Sequence, residues 1–121
     1  GYEEIMDTFE APAHHWPWLR SDELRALADQ GHVIGFHTHS HPTTIRGLSR
    51  EQQELEYATS MRILQLVTGD KPTTMSHPCG EVTGWGRRYL ERLGVTLAWG
   101  ATMDGSLPWM APRWSTGYWT P

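Results

Sequence analysis

The chain lacks several features that would assign it to a class directly. Its 121 residues include one cysteine, Cys79, so no disulfide forms within it, and a lone thiol fits an oxidising or a reducing compartment equally. No apolar run approaches the ~20 residues that a membrane-spanning helix needs. Basic stretches with interleaved aromatic residues are missing from a chain whose formal net charge is −4. The sequence therefore argues against a membrane span and against a nucleic-acid partner.

The composition is that of a globular protein. Apolar residues make up 38% of the chain and charged residues 20%, which fits one small domain or part of a larger one. Tryptophan is frequent, with 7 residues, and it serves both in cores and in stacking on sugars or bases, so both interpretations stay open. No signal peptide and no initiating Met are present, so we expect that an N-terminal part of the natural protein was either processed away or not included in this sequence.

Helix and strand signals alternate along the chain. Ser21 and Ser49 have the character of N-caps, and Gly69 and Gly94 that of helix stops. Short apolar runs between them are typical of buried strands. The predicted order is helix 21–31, strand 32–36, helix 49–68, strand 73–76, helix 84–93 and strand 95–99. We expect 32–36 to be an interior strand and the apolar second half of the long helix to be well buried, with no regular pattern beyond Asp104.

This alternation predicts an α/β fold with mostly parallel strands, because right-handed βα units have this order and spacing. Three predicted strands are too few to close a barrel, which needs about eight. An open parallel sheet also requires cover on both faces. We therefore interpret the chain as a piece of a larger α/β architecture.

The segment GHVIGFHTHSHP places three histidines, His37, His39 and His41, directly after a predicted strand. Loops at the carboxyl ends of parallel strands form active sites in such folds. One helical turn after the strand would bring His37 and His41 onto one face, where they can bind a metal with a carboxylate from another strand. His39 would then point elsewhere. A strand that continued straight would align all three, but Pro42 favours the turn. The alternative is a polar loop without a metal.

A second polar loop, SHPCGEVTGW, follows the predicted strand 73–76. His77 is a candidate metal ligand, a candidate substrate contact or a surface residue, and the sequence leaves these alternatives open. Cys79 and His77 have poor geometry for a nucleophile pair across a proline, so Cys79 is interpreted as a small pocket-lining residue. Gly80 permits a close approach of the backbone.

Four segments, GHVIGFHTHSHP, LSREQ, TGDKP and MSHPCG, occur in the order and spacing of a known family. Over about residues 21–100 the chain resembles the polysaccharide deacetylase (NodB homology) family, which is carbohydrate esterase family four. The resemblance implies a partial, distorted (β/α) barrel of the NodB type. It also implies that residues 1–121 form a single domain, the C-terminal portion of a NodB-type deacetylase domain without its first strands.

By position, the resemblance assigns metal binding to His37 and His41 and support of their loop to Thr38. It assigns the substrate groove to the second loop, where the corresponding residues are His77, Pro78, Cys79 and Gly80. The implied cofactor is a divalent metal, zinc first, with cobalt, nickel or iron also suited to imidazole and carboxylate ligands.

The chain departs from the family pattern at several points. The arginine and tyrosine of the groove motif are Ser76 and Cys79 here. The Asp-Asp pair that supplies the base and a metal carboxylate is not found. Asp7 is the nearest imitation, but its context does not match and it lies too close to the histidine segment in sequence. The late Leu-x-x-His motif is also missing, although Arg113 resembles the chain end of some family branches. The catalytic base is therefore expected upstream of Gly1.

The resemblance implies a metal-dependent hydrolase that removes N-acyl groups, such as acetyl, from an amino sugar or a related small amide. The alternatives are a non-catalytic carbohydrate- or metal-binding relative and a purely structural metal-binding domain. The resemblance favours an extracellular or periplasmic location, with a cytoplasmic location as the alternative.

Overall fold

The computed structural model describes residues 18–100 and the backbone of a strand at 110–112. Three helices are present in this part of the chain: α1 Ser21–Asp29, α2 Arg50–Thr68 and α3 Gly84–Leu93. The strands are β1 Thr74–Ser76, β2 Leu97–Gly100 and β3 Met110–Pro112. Two short 3₁₀ turns cover Ile45–Gly47 and Pro78–Gly80. None of the helices described is long and apolar enough to cross a membrane.

The three strands form one parallel sheet in the order β1-β2-β3. Met75 in β1 pairs with Ala98 in β2, and Ala98 pairs with Met110 in β3. Helix α3 connects β1 to β2, as a parallel pair requires a crossover of a dozen or more residues. The predicted α/β class with parallel strands is confirmed.

The helix boundaries follow from capping. At α2 the Ser49 hydroxyl accepts from the Gln52 N–H at 3.1 Å, and the Gln52 side chain accepts from the Ser49 N–H at 2.9 Å. Gly69 ends this helix in the left-handed region at φ 86°. Helix α3 begins after Thr83, whose hydroxyl accepts from the Gly86 N–H. The predicted bounds of α2 and α3 are confirmed.

The predicted cap of α1 is wrong by one position. Arg20, not Ser21, is the N-cap residue, and Ser21 is the first helical residue. Arg20 makes no side-chain cap but reaches forward to Asp22, with 2.7 Å between Nη2 and Oδ2. Acidic side chains in the first turn also complement the positive end of the helix dipole.

The core lies between the sheet and helices α2 and α3. Helix α2 packs against both α1 and α3, which makes it the central helix. Helices α2 and α3 and strands β1 and β2 all contribute apolar side chains to it. The buried set is Phe36, Ile45, Tyr57, Met61, Met75, Leu90, Val95 and Ala98.

The prediction of an interior strand at 32–36 is wrong for the part of the chain that the structure describes. This segment is extended, yet Val33 is 81% exposed and only Phe36 is buried. It pairs with β1 through one bridge: the Phe36 N–H donates to the Thr74 carbonyl, and the Ser76 N–H donates to the Phe36 carbonyl. Residues 18–100 provide no strand on its other side, so the segment is an edge of the described sheet, with Val33 exposed and Ile34 only partly buried.

Two further predictions need correction. The second half of α2 is not buried all round, because Ile63 is 44% and Leu66 73% exposed. A helix turns about 100° per residue, so only the side bearing Met61 and Thr68 meets the core.

The prediction of no regular pattern beyond Asp104 is also wrong, because strand β3 lies there. The sequence signal for a strand was weak there because β3 ends at Pro112, and proline has no backbone N–H to donate in a sheet.

The close approach of the extended segment to β1 generates a stability prediction. A Cβ on Gly35 would lie 2.8 Å from the Thr74 hydroxyl and 2.9 Å from the Thr74 carbonyl oxygen, so the backbone of β1 would have to move. We expect Gly35→Ala to lower the free energy of unfolding by about 1–3 kcal/mol. Gly47→Ala is the matched control, because its Cβ would meet only the Thr44 methyl at 3.8 Å. Urea unfolding compares them, and equal midpoints would contradict the prediction.

Candidate active site

Two loops meet at the carboxyl ends of the strands. The histidine loop, residues 37–42, follows the extended segment that ends at Phe36, and the 3₁₀ turn Pro78–Gly80 follows β1. The His77 N–H donates to the Trp99 carbonyl at 2.8 Å, which attaches the second loop to the end of β2. The fold therefore brings the two candidate motifs of the sequence to one edge of the sheet.

The rings of His37 and His41 lie side by side. Their centroids are 4.8 Å apart and their planes are inclined by 59°. The expected helical turn is not what brings them together. Thr38 and His41 both have positive φ, 66° and 55°, so the loop doubles back through the left-handed region. Metal binding by this pair stays a prediction, and His39 is exposed on the same loop.

The environment of His37 determines the position of its proton. Its Nδ1 lies 2.7 Å from the Ser76 carbonyl oxygen and 2.9 Å from the Ser76 hydroxyl. A carbonyl oxygen can only accept, so Nδ1 must carry the proton. In a neutral imidazole the lone pair is then on Nε2. Metal-binding histidines typically donate their second ring N–H to a carbonyl or carboxylate in this way.

Glu56 of α2 holds the middle of the histidine loop. One carboxylate oxygen, Oε2, accepts from the backbone N–H of His39 at 3.0 Å and of Ser40 at 2.8 Å. The other, Oε1, accepts from the Ser40 hydroxyl. Burial alone would raise the pKa of Glu56, but the hydrogen bonds from Ser40 and His39 outweigh it and lower that pKa below its usual value.

The residues of the second loop differ in their exposure. His77 is fully buried, so the alternative of a surface residue is wrong. Burial, with the nearby charge of His37 as a second cause, lowers the pKa of His77 to about 4. Pro78 is also buried. Cys79 is exposed and has a left-handed backbone at φ 55°, and Gly80 follows at φ 70°.

A cavity of about 500 Å³ opens beside His37. Its walls are mainly apolar and include Phe36, Met75 and Leu97, with Trp99 at the carboxyl end of β2. Of the two neighbouring imidazoles, only that of His37 lines this cavity.

The described residues do not form a complete metal site. Within residues 18–100, no group of three or more His, Cys, Asp or Glu side chains is arranged to hold a metal ion. The Thr38 hydroxyl is buried and makes no hydrogen bond to any residue in that range. Asp7, Asp104 and Arg113 lie outside the described residues.

Sequence reasoning missed Glu56 and the contact between Ser76 and His37. The sequence did contain a signal for Glu56. Glu56 lies on the same side of α2 as three buried residues, Gln53, Tyr57 and Ser60. A carboxylate on the core-facing side of a helix requires partners, because a charge is costly to bury without them. The backbone contact of Ser76 left no trace in the sequence.

Comparison with known proteins defines the class. The family model of polysaccharide deacetylases matches residues 6–98, and the chain belongs to this family. Chitin deacetylase 1 of Cryptococcus neoformans var. grubii is 30% identical over 88 residues, which are 72% of this chain and 18% of that protein. The resemblance inferred from the four sequence segments is thereby confirmed.

Solved structures show the same fold. The Streptococcus pyogenes deacetylase PplD superposes with a TM-score of 0.62 at 20% identity, over 68% of this chain and 36% of that one. A family 4 carbohydrate esterase from Streptomyces lividans superposes with a TM-score of 0.57 at 24% identity, over 63% and 39%. The chain therefore matches less than half the length of each of these relatives.

The buried His77 generates a prediction on pH. Its folded pKa of about 4 lies below the ordinary value of 6.5, so the unfolded state binds more protons between these values. Stability is therefore full above pH ~6.5 and falls as the pH approaches 4, by about 3 kcal/mol for this group. We expect His77→Gln to flatten the stability curve between pH 7 and 4. His32→Gln, at an exposed histidine, is the control, and equal slopes in both variants would contradict the prediction.

Proposed function

We propose that the chain carries the histidine half of a metal-dependent deacetylase site that hydrolyses the N-acyl group of an amino sugar or a related small amide. The observation that carries the proposal is the paired imidazoles, 4.8 Å apart, with the proton of His37 committed to the Ser76 carbonyl. Membership of the polysaccharide deacetylase family supports the reaction class.

The two histidines would supply some, but not all, of the ligands that a metal ion needs. His37 presents a lone pair on Nε2 and His41 lies beside it, which suits zinc, and cobalt, nickel or iron would accept the same ligands. A third ligand is required, and we propose an acidic residue outside the described part of the chain. When bound, the metal would polarise the acyl carbonyl and lower the pKa of a water molecule.

The roles of the chain's own residues follow from their positions. Ser76 orients the His37 ring through its carbonyl. The cavity beside His37 receives the acyl group against Phe36 and Met75. The backbone N–H of Cys79 is proposed to donate to the oxyanion as negative charge develops on the carbonyl oxygen, a role that does not depend on its side chain. The general base is proposed to lie on the Asp-Asp strand of a longer natural chain.

The proposal also concerns the domain to which this chain belongs. Residues 1–121 are proposed to be the C-terminal portion of a NodB-type domain, with a barrel completed by strands outside this chain. The match to 36% and 39% of the solved chains supports it. An extracellular or periplasmic location and a carbohydrate partner belong to this proposal.

A non-catalytic binding relative is the second candidate. Ser76 and Cys79 stand where the family has arginine and tyrosine, which favours loss of part of the catalytic support. The two candidates share metal binding and differ in turnover.

The metal site is tested by binding. We expect zinc or cobalt to bind the wild-type protein at one site, and His37→Ala or His41→Ala to weaken binding by more than about 100-fold, because each removes a ligand and outer-shell losses alone cost 10–100-fold. His39→Ala is the control, since that imidazole is exposed on the same loop. Isothermal titration and metal analysis give the affinity and stoichiometry. An unchanged stoichiometry in His37→Ala would sink the assignment.

Turnover is tested by acetate release from an N-acetylated oligosaccharide with metal in excess. The 121-residue chain should be slower by about 10²–10⁴-fold than a longer natural chain that carries the Asp-Asp strand, because it lacks the base. If neither releases acetate while both bind metal, the non-catalytic alternative is correct. Robust turnover by the short chain, abolished by Glu81→Gln or Asp104→Asn, would show that a carboxylate within these residues is the base.

A further inference from the structure

We propose that Glu56 is a positioning residue that holds the histidine loop in the shape that brings His37 and His41 together. The inference rests on the proposed function, because it concerns the same metal site. Glu56 touches neither imidazole, so its effect would pass through the backbone of the loop.

The first argument is the number of hydrogen bonds between the Glu56 carboxylate and the histidine loop. The Glu56 carboxylate accepts three hydrogen bonds from two consecutive residues, His39 and Ser40. These residues lie midway between the two proposed ligands. Hydrogen bonds to a charged acceptor are about twice as strong as neutral ones. The carboxylate therefore immobilises the centre of the loop more firmly than a water molecule would.

The second argument is the strain on either side of that contact. Thr38 at φ 66° and His41 at φ 55° are both in the left-handed region, which is unfavourable for residues other than glycine. Thr38 is β-branched, which makes this conformation still less favourable. Two strained residues persist together only where surrounding contacts over-determine the backbone. Among the described residues, the Glu56 carboxylate supplies the side-chain hydrogen bonds to this loop's backbone.

The third argument is the rigidity of the element that carries Glu56. Its neighbour Tyr57 is fully buried in the core, and the helix begins with a complete capping box. Glu56 thus lies on a fixed helix about two turns from its N-terminus. A site held by a rigid element is more accurately placed than one formed by a loop alone.

The test uses the full chain with Glu56→Gln and Glu56→Ala. Glutamine keeps the shape but replaces one accepting oxygen with an NH₂ group that cannot accept, whereas alanine removes all three hydrogen bonds. The matched control is Glu51→Gln, an exposed glutamate on the same helix. Two quantities are measured: zinc affinity by competition titration, and the exchange rates of the His39 and Ser40 amide hydrogens in metal-free protein.

We expect Glu56→Ala to weaken zinc binding about 10–100-fold, the range typical of outer-shell losses, with Glu56→Gln between it and wild type. The His39 and Ser40 amides should exchange faster in both variants, and Glu51→Gln should behave as wild type. Exchange at the Met75 and Ala98 amides should remain slow in all variants, which separates loss of the loop from general unfolding.

Unchanged exchange at His39 and Ser40 would overturn the proposal, whatever the metal result. Faster exchange with a zinc affinity equal to that of Glu51→Gln would also overturn it, because the loop would then be free without consequence for the site. If the wild-type protein bound no zinc and His37→Ala changed nothing, the proposed function would fail. In that case the exchange rates and the separation of the His37 and His41 rings by nuclear Overhauser contacts would still decide whether Glu56 shapes the loop.

Discussion

The hydrogen bond from the His37 imidazole to the Ser76 carbonyl is the contact on which the candidate site depends. It joins the histidine loop to the end of β1, 39 residues away in the chain. It can form because the Phe36 segment and β1 are parallel and in register, with the Ser76 N–H donating to the Phe36 carbonyl. A slip of that register by one residue would turn His37 to the opposite face, since side chains alternate along an extended chain.

This dependence on backbone atoms explains how the site accommodates its departures from the family pattern. Ser76 replaces an arginine, but the contact with His37 uses a carbonyl oxygen that any residue at this position would offer. Cys79 replaces a tyrosine, and its proposed contribution is likewise a backbone N–H. The substitutions therefore change the side chains at these two positions and leave the orientation of His37 by the Ser76 carbonyl intact.

His77 and Glu56 set the charge around the two imidazoles of His37 and His41. Burial lowers the pKa of His77 to about 4, so its imidazole is uncharged at neutral pH. The negative charge of Glu56 is directed to the backbone of the histidine loop and away from the two rings. The hydrogen bonds from the loop to Glu56 offset the strain of the left-handed backbone at Thr38 and His41. Strained backbone of this kind is common where its geometry serves a function.

The sequence alone determined the features that arise from local physics. The capping box at Ser49, the glycine stop at Gly69 and the parallel α/β order are set by residues a few positions apart, and all were predicted correctly. The tertiary structure decided what depends on distant neighbours. Exposure of Val33 follows from a missing strand partner in the described chain, and burial of His77 from the surrounding sheet. The proximity of Glu56 to the histidine loop arises only when α2 packs across the sheet, because no short-range pattern encodes a contact between residues 17 positions apart.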